Sequence, residues 1–267
     1  LTRVWRNAAL HARDTSAAAP WSADPFQGDL QYREHQTMST STHSTADQLS
    51  GLSVTNTLRG RKILLTGASG FVGKVLLAML LDKVPEIGCV YVLLRPRSGQ
   101  SAAQRFENFF NETPVFAHLH ERYGEELSQV LRQRVQVVSG DVSMPLLGVD
   151  PVSRERLFAE LDLVIHCAGQ VDFRAPLDEA VHTNVDGTLH AAEFTERCSN
   201  ARFVHISTCY VAGVRDGRVE ESLRTDYAPN GAPFDAEQEY VELKRIIAES
   251  RAPGRSANEA ATRQALV

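Results

Sequence analysis

Short apolar runs alternate with longer amphipathic stretches along the middle of this chain. The apolar runs have the length of β-strands and occupy residues 62–66, 89–94, 135–139, 161–167 and 202–207. Apolar residues at helical spacing follow the first run, and the stretches 102–131 and 177–197 also have helical character. Strands of a parallel sheet are buried on both faces, so they are apolar throughout. The pattern predicts an α/β fold in which helices cover both faces of a doubly wound parallel sheet.

The two ends of the chain lack this periodicity. Residues 1–58 show no sustained strand or helix pattern, and from Met38 the segment is rich in small polar residues. We expect residues 1–58 to be a disordered or non-native extension, with the question of Met38 as the natural start left open. Residues 251–267 have no strand pattern and little to bury, which predicts an unstructured tail. The folded domain is therefore predicted over residues 59–250.

Composition and charge narrow the classes of partner. The 267 residues are 43% hydrophobic and 23% charged, which is ordinary globular composition. A net charge of −5 argues against a nucleic-acid partner, which usually meets a basic face. No apolar run reaches the roughly 20 residues of a membrane span, so no transmembrane segment is expected, and peripheral membrane contact stays open. The four cysteines lack the spacing of a metal or redox site, which predicts no metal centre and a cytoplasmic location with reduced thiols.

A glycine-rich turn joins the first strand to the first helix. Its glycines recur at a spacing of three, as Gly67, Gly70 and Gly73. Glycines let the backbone approach a diphosphate, and the helix N-terminus offers unpaired N–H groups and a partial positive charge to the phosphate oxygens. Between a strand and an amphipathic helix, the turn predicts a Rossmann-type dinucleotide-binding loop. The predicted cofactor-binding residues here are Thr66, Gly67, Ser69, Gly70, Phe71, Val72 and Gly73.

The end of the second strand indicates which nicotinamide cofactor is bound. An NAD enzyme usually has Asp or Glu there, which hydrogen-bonds the ribose 2′-hydroxyl. This chain instead has Arg95 and Arg97. A guanidinium pairs with a 2′-phosphate, whereas a carboxylate repels it. The prediction is NADP(H), with Arg95 as the first ligand of the phosphate and Arg97 as the second; the alternative is two solvated surface arginines.

Three further motifs lie after strands or in a helix. They are Asp141-Val142 after the third apolar run, Ala168-Gly169 after the fourth, and Asn184 in the stretch 177–197. Each is weak alone, since an aspartate after a strand is more often a helix cap than a ligand contact. In this order, and with the glycine spacing of the first turn, they resemble the extended short-chain dehydrogenase/reductase superfamily.

Longer segments resemble the fatty acyl-CoA reductases of that superfamily and the related thioester reductase domains. These segments are LLRPRSGQSAAQRF, GDVSMPLLGVD, VDFRAPLDEAVHTNVDGT and HISTCYVAG, within a resemblance that covers about residues 59–249. It implies NADPH-dependent reduction of a long-chain acyl-CoA or acyl-carrier thioester to fatty aldehyde, fatty alcohol or both. Two alternatives stay open. One is another extended dehydrogenase or epimerase acting on an alcohol, and the other is an NADP-binding fragment without complete catalytic machinery.

The resemblance also implies roles for individual residues. Asp141 and Val142 would lie by the adenine, Ala168 and Gly169 by the ribose and nicotinamide, and Asn184 would support the active site. Hydride attack on a thioester creates an oxyanion, which this superfamily stabilises with a Ser or Thr after the fifth strand and a Tyr followed by a Lys. The register of the family places Thr208 at the hydroxyl position, with Ser207 as the neighbour that could replace it.

The Tyr and Lys of this scheme have one literal match in the chain. Tyr240 and Lys244 have the YxxxK spacing. However, Tyr240, Leu243 and Ile247 share one helical face, which favours packing over catalysis. The surrounding stretch also resembles an insert that these reductases carry before their catalytic pair. On that reading the pair, the later strands and the substrate region would lie beyond Val267, and both readings stay open.

Overall fold

The structure, a computed structural model, describes residues 53–97, 99–214, 216–219, 228 and 230–251. Most of the expected N-terminal extension, the candidate start at Met38 and the expected tail from residue 252 onward lie outside these residues. Among the described residues, no helix is long and apolar enough to cross a bilayer.

Five parallel strands form the central sheet. They are β1 (Lys62–Thr66), β2 (Cys89–Leu94), β3 (Val135–Ser139), β4 (Leu163–His166) and β5 (Arg202–His205). Their order is β3-β2-β1-β4-β5, so the winding reverses between β1 and β4. At that point Thr66 pairs with His166, and on the far side His166 pairs with His205. The carboxyl ends of all five strands therefore meet along one edge, and ligands bind such sheets at this reversal point.

Helices connect the strands. They are α1 (Val54–Leu58), α2 (Phe71–Lys83), α3 (Ala102–Glu112), α4 (Ala117–Tyr123), α5 (Leu127–Arg134), α6 (Pro151–Glu160), α7 (Leu177–Ala180), α8 (Gly187–Glu196) and α9 (Ala236–Ser250). A π-helical segment, Val181–Asp186, joins α7 to α8. The long helix predicted over 177–197 is thus one continuous helix with a widened turn, a feature that is frequent at functional sites.

Alternate residues of the strands supply two separate cores. On one face Ile63, Leu65 and Val92 pack with α2 and the helices from α3 to α5. On the other face Leu64, Leu93 and Val164 pack with α6 and α8. Because successive strand residues point to opposite faces, each strand is apolar throughout. The predicted doubly wound α/β fold is confirmed.

A short helix precedes the predicted folded domain. Helix α1 falls inside the expected extension, and the Ser53 side chain caps it by accepting from the Asn56 amide. The Gly60 amide donates to the Glu86 carbonyl at 2.7 Å, and Arg59 pairs with the Glu86 carboxylate at 3.1 Å. The five-residue helix was missed because these contacts with a distant loop, and not its own pattern, hold it in place.

Candidate cofactor and active site at the carboxyl edge

Two glycines of the phosphate loop are required by close backbone approach. Gly67 has φ +71°, and a Cβ there would lie 2.5 Å from the Ala168 nitrogen at the end of β4. A Cβ on Gly73 would lie 2.2 Å from the Gly67 carbonyl oxygen. No side chain fits at either distance, so only glycine at these two positions allows the loop to pack tightly between β1, β4 and the start of α2. The predicted loop geometry is present.

The first turn of α2 opens onto this loop. Gly70 is its N-cap and its amide donates to the Gly67 carbonyl at 2.9 Å. The amides of Phe71, Val72 and Gly73 lie in the first helical turn, where N–H groups have no intrahelical acceptor. Ser69, Phe71 and Val72 are exposed, and Phe71 reaches 85%. These amides and the helix dipole suit a diphosphate.

Thr66 is placed differently from its neighbours in the loop. Its side chain is fully buried, and its hydroxyl lies 2.8 Å from Nδ1 of His166. The hydroxyl thus faces the inside of the domain and joins β1 to β4, whereas Ser69 and Gly70 line the exposed loop.

Three guanidinium groups gather after β2. Arg95 and Arg97 follow the strand, and the Arg97 and Gln100 backbones exchange hydrogen bonds of 3.1 and 2.8 Å, which closes the loop. Arg105, on the first turn of α3, donates to the carbonyl of Arg95. Burial lowers the pKa of Arg105, and the positive charges of Arg97 and Arg95 lower it further. The sequence analysis missed Arg105, although its place on the helix that follows Arg95 was the available signal.

Asp141 at the end of β3 faces this cluster. Its carboxylate accepts from the Ser143 amide at 3.0 Å and the Ser143 hydroxyl at 2.8 Å, and Arg95 contacts it at 3.3 Å. Burial alone would raise the pKa of Asp141, but the Ser143 hydrogen bonds and the Arg95 charge outweigh it, so the pKa lies below its ordinary value. The next residue, Val142, is bound to α8, because its carbonyl accepts from Nδ1 of His190 at 3.0 Å.

The turn after β4 is tied to the π-helical segment. The Asn184 side chain accepts from the Gln170 amide at 2.6 Å and donates to the Gln170 carbonyl at 3.0 Å. A Cβ on Gly169 would come within 3.3 Å of the Asn184 side-chain oxygen. Ala168 lies beside Gly67, so Asn184 fixes the turn that borders the phosphate loop. The structure thus brings the predicted residues Ala168, Gly169 and Asn184 together.

Ser207 and Thr208 follow β5 at the same edge and are exposed. The Thr208 side-chain oxygen accepts from the Tyr210 amide at 3.3 Å, which caps the short 3-10 turn Cys209–Ala212. The Thr208 hydroxyl proton is not used in that bond. Two residues earlier the Ile206 amide donates to the His166 carbonyl, so this segment is held beside the end of β4.

Tyr240 and Lys244 on α9 meet at one carboxylate, that of Asp186. The Tyr240 hydroxyl donates to Oδ1 at 2.6 Å and the Lys244 ammonium to Oδ2 at 2.8 Å. Nδ1 of His182 lies 3.2 Å from Oδ2, and the Asp186 side chain is only 7% exposed. Burial, then the hydrogen bond to Asp186, raises the pKa of Tyr240 to about 12. Asp186 was not predicted as a site residue, although it lies two positions after Asn184.

This combination of reversal point, glycine loop and open helix N-terminus defines a nicotinamide-dinucleotide-binding domain of the Rossmann type. Residues 65–255 match the family model of an NAD-binding domain described as male sterility protein. The match spans more than half of the chain, and the chain therefore belongs to this family.

Proteins with similar sequences are named as fatty acyl-CoA reductases, the family that the motifs resemble. The chain is 30% identical over 172 residues to fatty acyl-CoA reductase 2, chloroplastic, of Arabidopsis thaliana, covering 64% of this chain and 28% of that protein. It is 33% identical over 160 residues to fatty acyl-CoA reductase 1 of Gallus gallus, covering 60% and 30%. The predicted resemblance is confirmed, and the chain spans less than a third of the length of these two relatives.

A solved structure of a reductase domain is also similar. The terminal R domain from the myxalamid PKS-NRPS biosynthetic pathway is 26% identical, with a TM-score of 0.48, and covers 71% of this chain and 45% of that one.

Proposed function

We propose that this domain binds NADPH and reduces a fatty acyl thioester to the aldehyde, the alcohol or both. Membership of the family and the names of the relatives support acyl reduction. The observation that carries the cofactor is the cluster of Arg95, Arg97 and Arg105 after β2. Guanidinium groups bind phosphate in charge-assisted hydrogen bonds, so this cluster suits the 2′-phosphate that distinguishes NADPH from NADH.

Most of the predicted cofactor residues fall into four groups along the edge. The amides from Ser69 to Gly73 would hold the diphosphate, and the arginines would hold the 2′-phosphate. Asp141 and Val142 would flank the adenine, and the Ala168–Gly169 turn would border the ribose and nicotinamide. From the adenine to the nicotinamide, the four groups follow the strand order β3-β2-β1-β4, so one extended dinucleotide could contact all of them.

Thr208 is the proposed donor to the substrate oxygen. When bound, NADPH would supply a hydride to the thioester carbonyl carbon. The carbon–sulfur bond would then break, the thiolate would leave and take a proton from water, and reduction of the aldehyde to the alcohol would require a second NADPH. A hydroxyl positioned at the carbonyl oxygen stabilises the charge that develops there. The free proton of Thr208 and its exposed place after β5 suit this role. Ser207 is the second candidate.

Apolar side chains beside Thr208 suit an acyl chain. Phe173 and Tyr210 are 90% and 72% exposed, with ring centroids 6.3 Å apart. They join the segment after β4 to the turn after Thr208. Val171 on the same segment is 86% exposed. A hydrocarbon chain laid over these residues would remove apolar surface from water.

Tyr240 and Lys244 have two possible roles, catalysis and anchoring. As a catalytic pair, the lysine would lower the pKa of the tyrosine and the phenol would reach the substrate oxygen. In the structure the phenol donates to Asp186, and its pKa is raised. We therefore assign Tyr240 and Lys244 to anchoring α9 on the π-helical segment.

Isotope transfer tests the reaction. NADPH deuterated at the transferable hydrogen is mixed with the purified chain and palmitoyl-CoA, or palmitoyl carrier protein, and the products are analysed by mass spectrometry. We expect deuterium at the carbonyl-derived carbon of the aldehyde or alcohol. Thr208→Val should slow transfer by about 100-fold or more, the size of one lost oxyanion donor, and Ser207→Ala by much less. Bound NADPH with no label in any product would contradict the proposal.

A further inference from the structure

The buried side chain of His166 connects the phosphate loop to the helix whose Asn184 holds the Gly169–Gln170 turn. His166 ends β4, is fully buried and pairs in register with Thr66, where the phosphate loop begins. Its Nδ1 lies 2.8 Å from the Thr66 hydroxyl, and its Nε2 lies 3.3 Å from the Thr188 hydroxyl on α8. Both ring nitrogens therefore have a polar partner, each from a different element.

The direction of each hydrogen bond follows from counting protons. The Thr188 hydroxyl donates its single proton to the Asn184 carbonyl at 2.7 Å. Its oxygen must then accept from His166, which places the imidazole proton on Nε2. A neutral ring with that proton has a lone pair on Nδ1, so Nδ1 accepts from the Thr66 hydroxyl. The Thr66 oxygen in turn accepts from the Ala168 amide at 3.4 Å.

The result is one continuous chain with a single direction. It runs from the Ala168 amide through Thr66, His166 and Thr188 to the Asn184 carbonyl. The Asn184 side chain in turn hydrogen-bonds the backbone of Gln170, two residues after Ala168, so the hydrogen bonds return to the turn in which they begin. The opposite tautomer would set the lone pair of Nε2 against the Thr188 oxygen, whose single proton is already donated to the Asn184 carbonyl.

We propose that His166 is a positioning residue of the cofactor site, held neutral with its proton on Nε2, which couples the start of the phosphate loop to Asn184 and the Gly169–Gln170 turn. This inference rests on the proposed cofactor function. His166 does not touch the cofactor itself, because it is enclosed by β1, β5 and α8. Its effect is to fix two loops relative to each other, which a dinucleotide that spans both loops requires.

The tautomer is the most direct test, and it needs no cofactor. Long-range proton–nitrogen NMR correlation of the nitrogen-15-labelled chain reports which ring nitrogen carries the proton. The His166 signals are identified by their loss in His166→Gln. We expect a protonated Nε2 and an unprotonated Nδ1 at neutral pH. A proton on Nδ1, or on both nitrogens, would overturn the proposal whatever the cofactor-binding result.

A pair of threonine variants tests the coupling. Thr188→Val removes the central link, while Thr195→Val on the same helix removes an equivalent hydroxyl that donates to the Ala191 carbonyl at 2.7 Å. We expect Thr188→Val to weaken NADPH binding about tenfold, as one unsatisfied buried donor would. Thr188→Ser should restore it, and Thr195→Val should leave it unchanged.

Equal NADPH affinity for Thr188→Val and Thr195→Val would refute the coupling. If the wild-type chain binds no NADPH, the proposed function fails instead, while the tautomer measurement still decides the hydrogen-bond chain.

Discussion

At the scale of single residues, two glycines of the phosphate loop differ in what a side chain would meet. A Cβ on Gly73 would lie 2.2 Å from the backbone oxygen of Gly67, whereas on Gly70 it would lie 3.2 Å from the same oxygen. An alanine at position 73 would therefore force the backbone to move, whereas an alanine at position 70 would require the Gly67 oxygen to shift by only a few tenths of an ångström. We expect Gly73→Ala to lower the free energy of unfolding by about 2 kcal/mol. Gly70→Ala, the matched control, should change it much less. Urea unfolding of both variants without cofactor measures this, and equal stabilities would contradict the account.

The arginine cluster leads to a prediction about cofactor choice. Arg105→Gln removes one of three positive charges from the loop after β2 but retains a donor for the Arg95 carbonyl. Because only NADPH carries the 2′-phosphate, we expect its dissociation constant to rise by about tenfold to 100-fold, while that of NADH stays unchanged. Arg132→Gln, on the exposed side of α5, is the control. A parallel loss of affinity for both cofactors would mean that Arg105 only shapes the loop.

At the scale of elements, α9 is held on the π-helical segment by one nearly buried carboxylate. Burial would raise the pKa of Asp186, but hydrogen bonds from Lys244, Tyr240 and His182 together lower it. A second contact joins Arg251, just after α9, to Asp178 of α7. Contacts from α9 and from the residue after it therefore hold both the last residue of the π-helical segment and the helix α7 that precedes it.

Lys244→Met tests this anchoring. It leaves the Asp186 carboxylate without its cation, which we expect to lower the free energy of unfolding by about 1 kcal/mol, since Lys244 is half exposed and partly screened. Amide hydrogen exchange in α9 should accelerate. Arg245→Met is the control, because within the described part of the chain Arg245 forms its ion pairs with Glu242 and Glu249 of the same helix. Unchanged exchange in α9 of Lys244→Met would argue against anchoring.

The same elements show what the sequence could predict. The bounds of β1, β2 and β3 match the predicted apolar runs, because buried parallel strands are continuous apolar segments. The π-helical turn was not predictable, since no local pattern distinguishes it from an α-helix. Nor was the contact of Asp186 with Tyr240, 54 residues away, because it depends on where α9 docks. The glycine loop was predictable because its spacing serves local backbone geometry. The contact of Arg105 with Arg95 was harder to predict, because it depends on the Arg97–Gln100 turn that brings α3 back to the end of β2.

At the scale of the whole molecule, His166 makes stability depend on pH. Burial, with a contribution from the charge of His205, lowers the pKa of His166 from 6.5 to about 4. Burial also lowers the pKa of His205, whose ring stacks on His166 at 5.3 Å. Between pH 6.5 and 4 the unfolded chain binds a proton that the folded chain does not. The free energy of unfolding should therefore fall by about 3 kcal/mol as the pH is lowered through this window.

Urea unfolding across this pH range measures the effect. His166→Gln should flatten most of the slope, leaving the smaller contribution of His205. Asp186 and the other aspartates with lowered pKa lose their stabilising effect only as the pH falls through their ordinary value of 3.8. Glu160, whose ordinary value is 4.5, begins to lose its effect at the acid end of the window. A wild-type slope identical to that of His166→Gln would show that His166 is not held neutral by the fold.

We propose that the arginines after β2 make this domain bind NADPH in preference to NADH. Isothermal titration of the purified wild-type chain with NADPH and with NADH, at the same salt concentration, tests it most directly. We expect NADPH to bind at least about tenfold more tightly than NADH, because the arginines after β2 would pair with the 2′-phosphate. Equal affinities, or tighter binding of NADH, would contradict it.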